Sequence, residues 1–134
     1  MVCIYCGKST RVSNSRKSSS ALQVWRRRTC TDCGAVFTTR ETVESENTLV
    51  LQSRNNLEPF RRDTLLISVY DSLKHRKTAL TDATALTDTI ISACLPKFDK
   101  GCLQKTQLVE TALLALKRFD QAAAVHYSAF HAQN

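Results

Sequence analysis

The 134-residue chain contains only three glycines and two prolines. With so few breakers it has little room for long irregular segments, and most of it should be regular structure with short connections. No apolar run approaches the roughly 18 residues that a membrane-spanning helix needs, so the reading is of a chain without one. Enzyme signatures are missing as well. There is no Walker loop, no His-Glu-x-x-His and no serine or cysteine nucleophile with an evident base, so the chain reads as a non-enzyme. Internal repeats are absent, and the one low-complexity piece, Ser13–Ser20, reads as a flexible tip between strands. Met1 runs straight into Val2 and Cys3 without a basic or apolar leader, which gives the expectation of a cytoplasmic chain with reduced thiols.

What is present is cysteine, in a telling arrangement. Cys3 and Cys6 form one Cys-x-x-Cys pair and Cys30 and Cys33 a second, with 23 residues between the pairs. Each pair continues into a glycine, Gly7 or Gly34. A Cys-x-x-Cys-Gly knuckle turns sharply enough to aim two sulfurs at one ion, and two knuckles complete a tetrahedral sulfur site suited to zinc. An Fe–S cluster could use the same ligands, but the ribbon-like glycines favour zinc. A pair of disulfides is the blander reading, and reduced thiols argue against it. Four cysteine ligands leave no open coordination position, so the zinc would be structural. The first 45 residues hold few large apolar side chains, and metal must do much of their folding.

Charge is uneven along the chain. The net charge is +7, and residues 1–45 hold eight Lys/Arg against three Asp/Glu. Four thiolates and one zinc ion contribute about −2, which leaves the module near +3. Such density on a small zinc module suggests a polyanion, with nucleic acid first. Arg26, Arg27 and Arg28 stand together before the second knuckle. A charged strand edge that blocks aggregation would explain one or two of them. Three beside a zinc knuckle favour DNA. On a strand, alternate members of the run face opposite sides.

The spacing predicts strands at Arg11–Ser13, Gln23–Thr29 and 36–39, with Trp25 in the core. Polarity rises at 44–48, which places a junction there and divides the chain into domains 1–45 and 46–134. A hairpin follows, with a strand over Leu49–Ser53, a turn at Asn55-Asn56 and a return through Leu57 and Glu58. Helices are predicted at about Arg61–Lys74, from an N-cap at Thr81-Asp82 toward Phe98, at about Lys105–Arg118 and at Gln121–Ala132. Pro96 should disrupt the end of the second. The final helix is alanine-rich, with Val125, Tyr127 and Phe130. Cys94 reads as a buried small hydrophobe, and Cys102 as part of a loop after Gly101. The fold class is α+β: a small N-terminal zinc ribbon, then a helical bundle capped by a short β-hairpin.

Four stretches in this order resemble one family: Cys3-x-x-Cys6-Gly7 with Asn14-Ser15-Arg16; Arg26-Arg27-Arg28-x-Cys30-x-x-Cys33-Gly34 running into Phe37-Thr38-Thr39-x-Glu41; Glu58-Pro59-Phe60 opening a helix that ends near Leu73-Lys74-His75-Arg76; and Leu116-Lys117-Arg118-Phe119-Asp120. They resemble the NrdR family, bacterial repressors of ribonucleotide reductase genes built from a zinc ribbon and an ATP-cone. The resemblance implies zinc on Cys3, Cys6, Cys30 and Cys33, and DNA contacts from Arg16, Arg26, Arg27 and Arg28. It implies ATP or dATP binding through Leu51, Gln52, Ser53, Arg54, Glu58, Phe60, His75, Arg76 and Lys77. The implied partners are double-stranded DNA carrying AT-rich paired repeats upstream of reductase genes, adenine nucleotides as effectors and further copies of the chain in a homo-oligomer. No membrane is implied, and the place would be the bacterial nucleoid. The chain departs from the family pattern at Gln52, where a lysine is usual, and at Asn14, Trp25, Ala124 and His126. A neutral amide at Gln52 cannot supply a lysine's charge to a triphosphate. Two rival functions follow: a constitutive zinc-ribbon DNA binder with a degenerate cone, and an accessory protein docking on ribonucleotide reductase or RNA polymerase.

Overall fold

The structure, a computed structural model, describes residues 1–17, 23–44 and 48–131. The tip of the serine-rich segment at 18–22, the centre of the expected junction at 45–47 and Ala132 of the expected last helix lie outside the described residues. The chain forms two compact units, Met1–Val43 and Glu44–Asn134. The architecture is α+β, and no helix among the described residues is long and apolar enough to cross a membrane.

The first unit is an antiparallel sheet of β1 (Thr10–Lys17), β2 (Gln23–Cys30) and β3 (Val36–Thr42), with β2 in the centre. β1 extends well past Ser13, so Asn14–Lys17 belong to a strand and not to a flexible tip. Turn-prone residues adopt it because cross-strand pairing outweighs their weak local preference. Asn14, Ser15 and Arg16 pair with Arg27, Arg26 and Trp25, after a bulge at Ser13. The Ser13 hydroxyl donates to the Arg27 carbonyl at 3.1 Å. Trp25 is only half-buried and lies outside the hydrophobic core, which belongs entirely to the second unit. Among the described residues of the first unit, the buried apolar side chains are Cys3 and Cys30. Its described residues form no oily centre; their interior is the sulfur site.

The second unit begins with β4 (Val50–Ser53) and β5 (Asn56–Pro59). Ser53 pairs with Asn56, so the turn is Arg54-Asn55, one residue earlier than the asparagine pair suggested. Arg54 takes a φ of +50°. Then come α1 (Arg62–Leu73), α2 (Ala79–Cys94), β6 (Cys102–Gln104), α3 (Lys105–Phe119) and α4 (Gln121–Phe130). α2 starts a turn ahead of the predicted cap. Asp82 is not its cap: its carboxylate accepts from the Thr78 hydroxyl at 2.7 Å and the Arg76 Nε at 2.8 Å. α2 ends at Cys94, and Leu95–Lys97, carrying Pro96, tightens into a 3₁₀ turn.

Cys102 is in a strand, not a loop. β6 pairs parallel with β4, Leu51 opposite Leu103, making the sheet order β5-β4-β6. It is launched by a tight turn in which Asp99 and Cys102 exchange backbone hydrogen bonds of 2.9 and 2.8 Å, with φ of +48° at Lys100 and +81° at Gly101. A Cβ on Gly101 would stand 3.0 Å from the Thr48 carbonyl, so this position needs glycine for space as well as for φ.

The core lies between this sheet and the helices. Phe60, Val69, Leu73, Ile90, Leu103 and Leu116 are almost wholly buried, and Phe60 meets Phe98 edge-on with ring centroids 5.9 Å apart. Cys94 is fully buried. α4 turns Ala123, Ala124 and Tyr127 inward, while Val125 and Phe130 face solvent. The i, i+1, i+4 spacing of the inward set places residues 125 and 130 outside that stripe.

Candidate metal centre, basic face and effector pocket

The two knuckles are near-copies. The Cys3 N–H donates to the Lys8 carbonyl at 2.7 Å, and the Cys30 N–H donates to the Ala35 carbonyl at 2.9 Å. Gly7 and Gly34 supply the left-handed turns, with φ of +72° and +70°. The knuckles are tied together by the Ser9 and Thr31 hydroxyls, 3.2 Å apart. All four Sγ atoms fall within 4.8 Å of one another. The Cys3–Cys33 and Cys6–Cys30 sulfurs are 3.7 and 3.5 Å apart. Zinc–sulfur bonds of about 2.3 Å make a tetrahedron with edges near 3.8 Å, close to these two separations, so the donor set suits zinc. The Tyr5 and Asp32 N–H groups point at the Cys3 and Cys30 sulfurs. With four sulfurs this close, the thiols share their protons: the backbone N–H of Asp32, followed by that of Cys33, brings the Cys30 thiol down to about 7, while the Cys6 and Cys33 thiols are pushed up.

The strand register sorts the arginines of the ribbon. Cross-strand partners share a face, and the faces alternate along each strand. Trp25 lies between Arg16 and Arg40, Arg27 lies between Asn14 and Thr38, and Arg11 pairs with Thr29. Arg11, Arg16, Arg27 and Arg40 are all exposed on this one face. No carboxylate occupies a register position on it.

Arg26 and Arg28 point the other way and are half-buried. Arg26 forks onto Glu41 with bonds of 2.8 and 2.9 Å, and that guanidinium holds the Glu41 carboxyl below its usual range. Arg28 donates to the Thr39 hydroxyl at 3.2 Å. The four expected DNA-contacting arginines are therefore split, Arg16 and Arg27 on the open face and Arg26 and Arg28 behind it. Arg11 and Arg40 join the open face. Spacing alone would miss them, because only the pairing of β1 and β3 with β2 brings them there.

The residues expected at the nucleotide are also divided. Leu51, Glu58 and Phe60 line a pocket of about 390 Å³ between β5, α1, α3 and α4. Its floor is apolar, with Leu65, Leu108 and Tyr127 beside Phe60, and its charged rim is Glu58, Arg61 and Lys105. The Ser68 hydroxyl and the His131 Nε2 are 2.6 Å apart at one wall. Burial, and then the Lys105 charge, lower the His131 pKa and favour its neutral form. Gln52 is turned to β6, where its Oε1 accepts from the Gln104 amide at 2.8 Å. Ser53 and Arg54 form the hairpin tip.

His75, Arg76 and Lys77 follow the far end of α1, about 18 Å along the helix from Arg62. There His75 and Arg76 reach Asp120 at 2.9 and 3.1 Å, Arg76 also reaches Asp82, and its guanidinium lies 4.7 Å from the centre of the Phe119 ring. Asp120 caps α4 by accepting from the Ala123 N–H. That bond, followed by the one from His75, holds its carboxyl down at about 2. His75 and Arg76 are committed to a latch joining α1, α2 and the α3–α4 corner, and Lys77 is exposed beside it.

A zinc-ribbon family model, described as "Transcriptional repressor NrdR-like, N-terminal domain", matches residues 1–41. Over nearly the full chain, similarity extends to proteins named transcriptional repressor NrdR. The one from Symbiobacterium thermophilum is 32% identical, covering 98% of this chain and 87% of that protein. The chain belongs to the NrdR family. Its relatives from Lachnoclostridium phytofermentans and Sphingopyxis alaskensis are each 30% identical over 98% of this chain, and cover 86% and 84% of their own lengths.

The NrdR ribbon match and the four-sulfur geometry together support a structural zinc. Zinc would cross-link the two knuckles and so fix the sheet that carries the open arginine face. With all four positions filled by cysteine, a bound zinc would supply a fold and no open position for a reaction. The NrdR-family relatives are named as transcriptional repressors.

Proposed function

We propose that this protein is a zinc-dependent, DNA-binding repressor of ribonucleotide reductase genes. In this reading the ribbon unit, 1–45, engages DNA. The cone unit, 46–134, binds ATP or dATP and changes how copies of the chain associate. The observation that carries the DNA role is the open face of Arg11, Arg16, Arg27 and Arg40 around Trp25, with no facing carboxylate. Guanidinium forks suit phosphate oxygens and guanine edges.

Adenine-nucleotide control is supported by the apolar pocket with its charged rim, whose size falls within the range of small-molecule sites. Leu51, Glu58 and Phe60 would contact the nucleotide there, with Ser53 and Arg54 above them on the hairpin. Homo-oligomerisation is supported by exposed Ile67 and Phe130, which line one groove between α1 and α4. A single small ribbon binds weakly, and linked ribbons gain affinity only when their geometry lets both sit on paired repeats. The proposed place of action is the bacterial cytoplasm, at the nucleoid.

One observation favours the rival of a constitutive DNA binder. Gln52 carries no charge and faces Gln104, and His75 and Arg76 are held by Asp82 and Asp120. A titration of zinc-loaded protein at fixed salt separates the two. The duplex from upstream of the reductase genes is compared with a scrambled one, each without nucleotide, with ATP and with dATP. Specific binding that changes with nucleotide is the expected result. Specific binding indifferent to nucleotide would select the rival, and equal weak binding to both duplexes would overturn the repressor reading.

A further inference from the structure

Arg54, His75, Arg76 and Lys77, the basic residues that sequence points to, are not among the residues lining the effector pocket. Gln52 is turned toward β6, and His75 and Arg76 are engaged at the other end of α1. The pocket nevertheless has its own positive groups. Arg61 precedes α1, and Lys105 is the first residue of α3. Both line the cavity.

Lys105 is placed to act as a switchable charge. Its Nζ lies 2.9 Å from the Glu58 Oε1, and both side chains are roughly half exposed. An ion pair this open is weak, so a second anion can displace the carboxylate at little cost. The lysine stem starts one turn before Leu108 on the pocket floor, and Glu58 stands opposite Leu51 on the hairpin. The ammonium thus sits between the apolar floor, which suits a flat ring, and the solvent, where a charged tail would emerge. Lys105 also influences the far wall, since its charge contributes to keeping His131 neutral. With Glu58 paired, Arg61 is the remaining full charge among the described lining residues, so the mouth favours an anion.

We propose that Lys105 is the residue by which this pocket selects a phosphorylated ligand, exchanging its bond to Glu58 for one to the ligand's phosphate. The inference rests on the pocket being the adenine-nucleotide site, and it assigns the phosphate contact to α3 and not to the hairpin. Glu58 becomes the internal competitor. An uncharged nucleoside has nothing to offer Lys105 and leaves the ion pair closed.

The test is calorimetric titration of the full zinc-loaded chain with ATP and, separately, with adenosine. Wild type is expected to bind ATP more tightly than adenosine. Lys105→Gln should weaken ATP by on the order of tenfold or more, as for a lost hydrogen bond to a charged group, and leave adenosine as in wild type. Lys105→Arg should restore most of the ATP affinity. Lys117→Gln, the same change of charge in the last turn of α3, should behave as wild type. If Lys105→Gln binds ATP as tightly as wild type does, the inference is wrong. If wild type binds ATP and adenosine equally, Lys105 selects nothing, although the pocket still holds the adenine. Failure of wild type to bind either ligand would remove the nucleotide reading and this inference with it.

Discussion

Arg26 and Arg27 are neighbours in sequence, and the sheet turns them to opposite faces. Arg26 is clamped bidentately by Glu41 at 2.8 and 2.9 Å, whereas Arg27 stands exposed between Asn14 and Thr38. A DNA backbone approaching the open face meets Arg27 directly. To use Arg26 it would have to reach behind the sheet and break an ion pair.

Arg27→Ala should therefore weaken DNA binding and lower the slope of log affinity against log salt by about 1, the loss of one phosphate contact. Arg40→Ala should do the same, and Arg26→Ala should leave the slope close to that of wild type. Fluorescence anisotropy at several salt concentrations measures all three. A larger slope change for Arg26→Ala than for Arg27→Ala would put the DNA on the wrong face.

Zinc removal should act on one unit alone. The ribbon buries Cys3 and Cys30 as its apolar interior, while the helical unit has its own core around Phe60, Ile90 and Leu116. Cys30→Ser, or a strong chelator, is expected to unfold residues 1–43 and leave the helical unit folded. Hydrogen exchange resolves the two: protection of β1–β3 amides should vanish while that of α1–α3 persists. Loss of protection in both units together would mean that the helical unit depends on the metal.

Sequence made the ribbon legible and the pocket less so, for physical reasons. Metal ligation demands fixed residue types at fixed spacing, so Cys3, Cys6, Cys30 and Cys33 can be read directly. Helix existence follows from apolar periodicity, and α1 and α3 lie within a residue of their expected ends. β6 was illegible because a three-residue strand has no period to detect, and its one cue was Lys100-Gly101 in a tight turn. The open face needed the register, which brings Arg11 and Arg40 beside Arg27 from two other strands. Lys105 was hidden for the same reason: its significance depends on Glu58, 47 residues away.

Asp120 links acid stability to the latch. Its folded-state pKa, about 2, is below the ordinary carboxylate value of roughly 4. The charge therefore stabilises the fold at pH values above about 4, and that contribution is lost as the pH falls toward 2. Asp120→Asn keeps a capping acceptor for α4 and removes the charge that holds His75 and Arg76. The variant should melt several degrees lower than wild type at pH 7, and the difference should shrink between pH 4 and pH 2. A difference independent of pH across that range would show that the charge of Asp120 contributes nothing to stability.

Thr87 offers a substitution in the stabilising direction. It lies on the buried face of α2 with no exposed surface, and its Oγ1 has no hydrogen-bond partner among the described residues. A buried hydroxyl without a partner gives up its bonds to water and receives nothing in return. Valine matches threonine in shape and has nearly the same helix propensity, so Thr87→Val should keep the packing against α1 and α3 while removing the unmet polar atom. The expected gain is about 1 kcal/mol, read as a higher urea midpoint at unchanged m-value for the helical transition. A lower midpoint would mean that the hydroxyl is bonded in solution, and that this part of the core is wetter than its burial implies.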